Sequence, residues 1–264
     1  MITSTSNSQI KNIIALQTKA RARNKQNTFV IEGIRMFSEV PENRIVKIYY
    51  TEDFYNECNL ELKEKISSND SEAVSEEVFK KISDTVTPQG ILTVVQKEEK
   101  KLEKICSDLE RESDENHLFM ILEDIQDPGN LGTIVRTSEA AGVTAVIMSK
   151  GTVDIYNPKV VRSTMGTIFR VPFVYVEDLK SAVELLKKNH VDIYAAHLKG
   201  NDFYQEDLRK NVAFLIGNEG NGLTDEISQT ANRLIKIPMQ GQVESLNAAC
   251  ASTILMYEYL RQNL

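Results

Sequence analysis

From residue 118 onward the sequence repeats one pattern: a short apolar run, a polar loop, then apolar residues at helical spacing. Strands are predicted at 118–122, 145–148, 172–176, 192–196, 212–216 and 234–237. Helical patterns lie between them near 131–141, 158–164, 179–188 and 224–230. A last helix is predicted from about Ser245 to Gln262, with Leu246, Ala249, Cys250, Thr253 and Tyr257 on one face. Strands that alternate with helices build α/β domains around a mainly parallel sheet. Such sheets take ligands at the carboxyl ends of their strands.

The first 96 residues predict a smaller α/β unit. A basic helix spans 8–26, with Ile10, Ile13, Ile14 and Leu16 on its apolar side. Strands follow at 29–31, 45–50 and 91–95, and helices at 33–40, 60–66 and 76–82, the first stopped by Pro41. Residues 97–116 are dominated by Lys, Glu and Asp. Leu102, Ile105 and Leu109 keep helical spacing there, so the connector is read as partly helical. The predicted domains are therefore 1–96, a charged linker at 97–116, and 117–264.

At 264 residues the chain has room for two domains. Its 41% hydrophobic and 26% charged residues are those of a soluble globular protein. No run approaches the roughly 20 apolar residues of a membrane span, and no apolar signal-peptide core opens the chain. Three cysteines far apart, without a CxxC pair, argue against a disulfide framework and a zinc site. No metal is expected, and a reducing cytoplasm is the natural compartment. The net charge of −7 argues against nucleic acid at first sight. Distribution matters more than the sum: residues 1–31 carry Lys11, Lys19, Arg21, Arg23 and Lys25 and no acid. A basic arm of this kind meets phosphate, or is simply a solvated helix face.

Three loops, each following an apolar strand, hold the candidate chemistry. In Glu123–Arg136, Pro128 and Gly129 shape a turn that opens a helix, and the amides at a helix start can receive an anion. Arg136, about two turns in, offers a fork of donors to a phosphate. A strand–turn–helix corner with a surface arginine reads the same residues. In 215–223, Gly217, Gly220 and Gly222 follow a G-x-x-G-x-G order that is neither a dinucleotide fingerprint nor a Walker loop. Glycines there let backbone approach a ligand, and Glu219 among them needs a partner; a plain glycine turn is the alternative. In 237–249, Pro238 and Gly241 break the chain, Ser245 offers an N-cap, and Asn247 sits in the first helical turn. Capping alone would explain both.

Taken together and in this order, the three loops resemble motifs 1, 2 and 3 of the SpoU (TrmH-like) family of SPOUT methyltransferases, over roughly 118–260. The N-terminal part resembles, on Phe29-Val30-Ile31-Glu32-Gly33 and the pattern after it, the small L30e-like RNA-binding domain of family members. The resemblance implies a deep trefoil knot, an exception to the rule that chains are unknotted. It implies transfer of a methyl group from S-adenosylmethionine to a ribose 2′-hydroxyl of RNA, with rRNA favoured over tRNA, and a homodimer. By the same resemblance Gly217, Ile237 and Leu246 contact the cofactor's adenine. Asn130, Arg136, Glu219, Ser245 and Asn247 form the catalytic set, with Glu219 expected to pair with Arg136 or the substrate. Arg162 and Arg170, flanking a stretch that resembles the family's S-x-G-x-x-F region, join Lys19, Arg21 and Arg23 as candidate RNA contacts, or are surface arginines without a role. The rival readings are a tRNA 2′-O-methyltransferase and a non-catalytic RNA-binding ribosome-assembly factor.

Overall fold

The computed structural model of the protein describes residues 1–98, 100–109 and 116–264. The predicted connector loses residues 99 and 110–115, and the side chains of 108 and 109, which lie outside the described residues. In chain order the first elements are α1 (Ser8–Thr18), α2 (Ala20–Gln26), β1 (Thr28–Glu32), α3 (Ile34–Glu39), β2 (Ile45–Tyr50), α4 (Glu52–Glu57), α5 (Leu60–Ser67), β3 (Ser71–Ala73), α6 (Glu76–Ile82), β4 (Ile91–Gln96) and α7 (Leu102–Leu109). Then come β5 (Leu118–Leu122), α8 (Pro128–Ala140), β6 (Ala145–Ser149), α9 (Pro158–Thr164), β7 (Phe173–Val176), α10 (Leu179–Lys188), β8 (Asp192–Asp202), β9 (Val212–Ile216), α11 (Asp225–Ser228), β10 (Arg233–Lys236) and α12 (Ala248–Gln262). These divide into two compact units. One is Met1–Glu98 with Asp154–Phe169; the other is Glu99–Val153 with Arg170–Leu264.

The second unit is built on a six-stranded sheet in the order β10-β8-β9-β5-β6-β7. Every pairing in it is parallel. All residues of β5, β6 and β9 are buried, as a parallel sheet covered on both faces requires. Leu102 and Cys106 of α7 and Val183 and Leu186 of α10 pack with Phe119, Ile121, Ile147, Ile193 and Leu215 of the strands. Helices α8 and α12 pack on each other, burying Leu131, Ile134, Val135, Leu255 and Met256.

Strand β8 runs on to Asp202, well past the predicted end at 196. Its register against β10 jumps, from Ala195 opposite Leu234 to Asn201 opposite Ile235. The added stretch depends on Gly200, where a Cβ would stand 2.5 Å from the Ile235 backbone. Only glycine permits that approach, and no alternation of apolar residues announces it. Among the described residues no helix is long and apolar enough to cross a membrane.

The first unit holds a four-stranded sheet in the order β1-β4-β2-β3. Strand β4 pairs antiparallel with β1 and β2, and β3 parallel with β2. Ile10, Ile13 and Leu16 of α1 are buried with Val30, Tyr49, Phe79 and Leu92. Two elements are additional to those predicted. Helix α4 is capped by Thr51, whose hydroxyl accepts from the Phe54 amide, and carries Glu52 and Asp53 in its first turn. Strand β3, three residues long, is too short to show a pattern.

The predicted helix 8–26 is in fact two helices, broken at Lys19, which is extended (φ −126°, ψ 111°). The break has a clear chemical use. Arg23 folds back, and its guanidinium donates to the carbonyls of Leu16 (2.8 Å) and Gln17 (3.3 Å) at the end of α1. The same group donates to Asp154 at 2.9 and 2.7 Å. Arg23 is 4% exposed. The expectation that it meets RNA is corrected: its donors are consumed inside the fold. Arg23→Ala is expected to lower stability by about 3 kcal/mol in urea unfolding, since it leaves the Asp154 carboxylate without its cation and two carbonyls without a donor. Arg23→Lys should recover little, because an ammonium cannot reproduce the fork.

Candidate functional site

The three candidate loops start from strands of one sheet. β5 and β9 are neighbours, with Leu122 opposite Ile216, and the Glu123 amide donates to the Ile216 carbonyl at 2.9 Å. The chain leaves β5 toward β6 on one side and leaves β9 toward β8 and β10 on the other. Such a reversal opens a crevice at the carboxyl ends of the two strands. The 217–223 loop returns sharply on itself: the Asn218 and Gly222 amides and carbonyls exchange bonds of 3.1 and 2.8 Å. Gly217 is compulsory there, since a Cβ would fall 2.1 Å from the Gly222 carbonyl carbon.

At the crevice, α8 begins with Asp127 as N-cap and Pro128 at its first turn. Asp127 accepts from the Asn130 amide at 2.8 Å. The anion that the helix entry attracts is the protein's own. The Glu219 carboxylate accepts from the amides of Gln126 and Asp127 and from the Asn130 side chain, each at 3.0 Å. Asn130 in turn accepts from the Asn247 side chain at 2.8 Å. Asn247 then accepts, through its own oxygen, from the amides of Ala249 (2.9 Å) and Cys250 (3.2 Å). The three loops are thus joined by one hydrogen-bonded chain running from α12 to Glu219. It borders a cleft of about 600 Å³ lined by Gln126, Asp127, Pro128, Asn130, Glu219, Ser245, Leu246, Asn247 and Ala248.

Two expectations are adjusted by this geometry. Helix α12 starts at Ala248, so Asn247 is its N-cap, and Ser245 stands in the loop ahead of it, on the cleft wall. Glu219 bonds to Asn130 and the α8 entry rather than to Arg136. Arg136 lies two turns along α8, on its exposed side. It makes no hydrogen bond or ion pair among the described residues. Of the three residues matched to adenine contacts, Leu246 lines the cleft. Gly217 directly follows β9 and Ile237 directly follows β10; neither lines the cleft. Gln126 and Asp127 were not singled out from sequence, although Asp-Pro is a recognisable helix-start pair.

The remaining candidate cations divide by their partners. Arg162, in the first unit, pairs with Asp84. Arg170, in the second, pairs with Glu139 at 2.9 Å. Lys19 and Arg21 are exposed and make no ion pair among the described residues.

Burial tends to raise the Glu219 pKa, but the bonds from the Gln126 amide, the Asn130 side chain and the Asp127 amide outweigh it and hold the group below its ordinary 4.5. A carboxylate with a lowered folded pKa contributes stability that is complete above the ordinary value and lost as pH falls through the folded one. Glu219→Gln is therefore expected to cost about 1 kcal/mol near neutral pH, allowing for the group's exposure. The gap from the parent protein should close below about pH 4.5, as read by urea unfolding across pH.

A model described as the SpoU rRNA Methylase family matches residues 117–257. One described as an MRM3-like substrate binding domain matches residues 7–93. The 23S rRNA (guanosine(2553)-2′-O)-methyltransferase RlmP of Bacillus subtilis is 34% identical over 258 residues, 97% of each chain. The 23S rRNA (guanosine-2′-O-)-methyltransferase RlmB of Xanthomonas campestris is 38% identical over 148 residues, 56% of this chain and 59% of its own. Among solved structures, an AdoMet-bound rRNA methyltransferase from Sinorhizobium meliloti superposes with a TM-score of 0.88 at 29% identity, covering 100% of this chain and 98% of that one. The AdoMet complex of the SpoU methyltransferase AviRb from Streptomyces viridochromogenes gives 0.86 at 25% identity, covering 97% and 98%. With the family's motifs meeting in one cleft, its model spanning over half the sequence and a relative aligned along nearly the whole of it, the chain belongs to the SpoU rRNA methylase family.

Proposed function

We propose that the protein transfers a methyl group from S-adenosylmethionine to a ribose 2′-hydroxyl of ribosomal RNA. What carries this is the chain Asn247–Asn130–Glu219, which draws three separate loops to one cleft. Two of the three full-length matches above are named as rRNA methyltransferases, which favours rRNA over tRNA. The guanosine of 23S rRNA named for the Bacillus subtilis relative is the first target to test.

The residues present fit the cofactor. The cleft has small-molecule size. It sets apolar Leu246 beside the polar groups of Asn130, Glu219, Ser245 and Asn247. Leu246 would meet the adenine on the cleft wall; Gly217 and Ile237, which do not line the cleft, are assigned to the adenine by the family resemblance. When bound, S-adenosylmethionine supplies an electrophilic methyl group on a positively charged sulfur. The chain's own task is to present the ribose oxygen and raise its nucleophilicity. Arg136, with no partner of its own among the described residues, reaches for the phosphate and ribose of the target nucleotide. Its field lowers the hydroxyl pKa. A guanidinium stays protonated, so Arg136 activates electrostatically and does not itself take the proton. Glu219 holds Asn130 and the α8 entry, Asn130 orients the ribose, and Ser245 and Asn247 hold the loop and the substrate hydroxyl.

Lys19 and Arg21 offer phosphate contacts from the first unit, read as an L30e-like RNA-binding domain. Arg162 and Arg170 join them where RNA competes for their acidic partners, giving salt-dependent affinity. The same assignment carries the deep trefoil knot, with the C-terminal end threaded through a loop, and a homodimer through the catalytic unit. Tyr257 on α12, 48% exposed, is available for that contact. The cytoplasm, where ribosomes assemble, is the proposed location.

Labelled S-adenosylmethionine with purified rRNA and tRNA tests the substrate: counts should enter rRNA, and labelling of tRNA alone would reverse the choice. Arg136→Ala should abolish turnover while calorimetry still registers cofactor binding. Full activity in that variant would remove Arg136 from the mechanism.

A further inference from the structure

The loop that carries Glu219 is fastened at both ends to the exit of β5. At its start the Asn218 side-chain amide donates to the Asp124 carbonyl at 2.8 Å. At its end Thr224 donates twice to the Glu123 carboxylate, through its amide at 2.8 Å and its hydroxyl at 2.7 Å. Glu123 is only 7% exposed, and among the described residues no basic side chain pairs with it. A buried carboxylate without a cation is costly. Here each of its oxygens takes a donor from the one residue that ends the loop. Glu123 is itself rigid, because its amide is bonded to the Ile216 carbonyl between two central strands. Thr224 is exposed, so packing does not explain the contact.

We propose that Glu123 is a positioning residue for methyl transfer: by gripping both donors of Thr224 it holds the 217–223 loop where Glu219 meets Asn130 and the amides of Gln126 and Asp127. This deepens the functional reading above and rests on Glu219 belonging to the site. Glu123 itself touches no reacting group. It acts through the loop, and a displacement of about 1 Å in a supporting shell is enough to slow a reaction by orders of magnitude.

Thr224 also caps α11, its hydroxyl oxygen accepting from the Ile227 amide at 3.2 Å. Thr224→Asp keeps a capping oxygen but removes the hydroxyl donor and sets a second carboxylate against Glu123. In the full-length protein, assayed well below its melting temperature, this variant should lose at least about tenfold in transfer rate at saturating rRNA and S-adenosylmethionine. Adding Glu123→Gln reverses the polarity of the contact: the amide nitrogen donates to the introduced carboxylate and the amide oxygen still accepts from the backbone at 224. The double variant should therefore recover most of the lost rate, which a purely structural defect at 224 would not allow. A parental rate in Thr224→Asp overturns the proposal, and so does a double variant that stays as slow as Thr224→Asp. If Thr224→Asp alone does not fold, the double decides: folded and active supports the clamp, unfolded or inactive overturns it. Glu219→Ala is measured alongside. A parental rate there takes Glu219 out of the site, which fails the assignment that the clamp rests on rather than the clamp itself.

Discussion

A single carboxylate placed at the start of a helix organises the catalytic unit. The entry to α8 presents amides with no partner in their own helix, and the helix dipole adds positive potential there. Glu219 answers both, and it comes from a loop 92 residues further along the chain than Asp127. Its consequences spread through hydrogen-bond polarity. Because Glu219 can only accept, Asn130 must turn its nitrogen toward it, which leaves the Asn130 oxygen to accept from Asn247. Asn247 is then obliged to turn its own oxygen to the α12 amides. One ionised group thereby sets the orientation of two side-chain amides and ties down the starts of two helices.

That arrangement is affordable only because the sheet brings the loops side by side. β5 and β9 lie at its centre, in register and buried along their whole length, so their carboxyl ends are fixed relative to each other. The loop after β9 needs Gly217 to fold back within 2.1 Å of where a side chain would begin. Glu123 and Asn218 then secure it to β5. Packing fixes the strands, glycine permits the return, and charge and hydrogen bonding settle the position of the loop.

The arginines show how the fold sorts groups of the same chemistry. Arg23 is sealed against Asp154 and two carbonyls. Arg162 and Arg170 each face a carboxylate. Arg136 has no such partner among the described residues, and it alone of the four belongs to the helix whose entry forms the cleft. An arginine with unspent donors is suited to bind an outside anion; one already paired must first give up its partner.

Much of this was legible in the chain itself, and for local reasons. Strands at 45–50, 118–122 and 212–216 and helices at 76–82, 158–164 and 179–188 end where predicted, because apolar runs, capping residues and prolines act within a few residues. The motif loops were also visible, as clusters of Gly, Asn and Pro after apolar strands. Other features depended on partners far away in sequence. Thr18 and Ala20 sit in one helical pattern, yet the helix breaks at Lys19 where Arg23 turns back to Asp154. Strand β8 is lengthened by a backbone contact at Gly200 that no side-chain pattern records. Composition and periodicity determined the α/β class, the parallel sheet and where chemistry could lie. Only tertiary structure decided that Glu219 is held by the α8 entry, that Asn247 caps α12, and that Glu123 answers Thr224, since a hydrogen bond is specified by distance and direction, and sequence order carries neither.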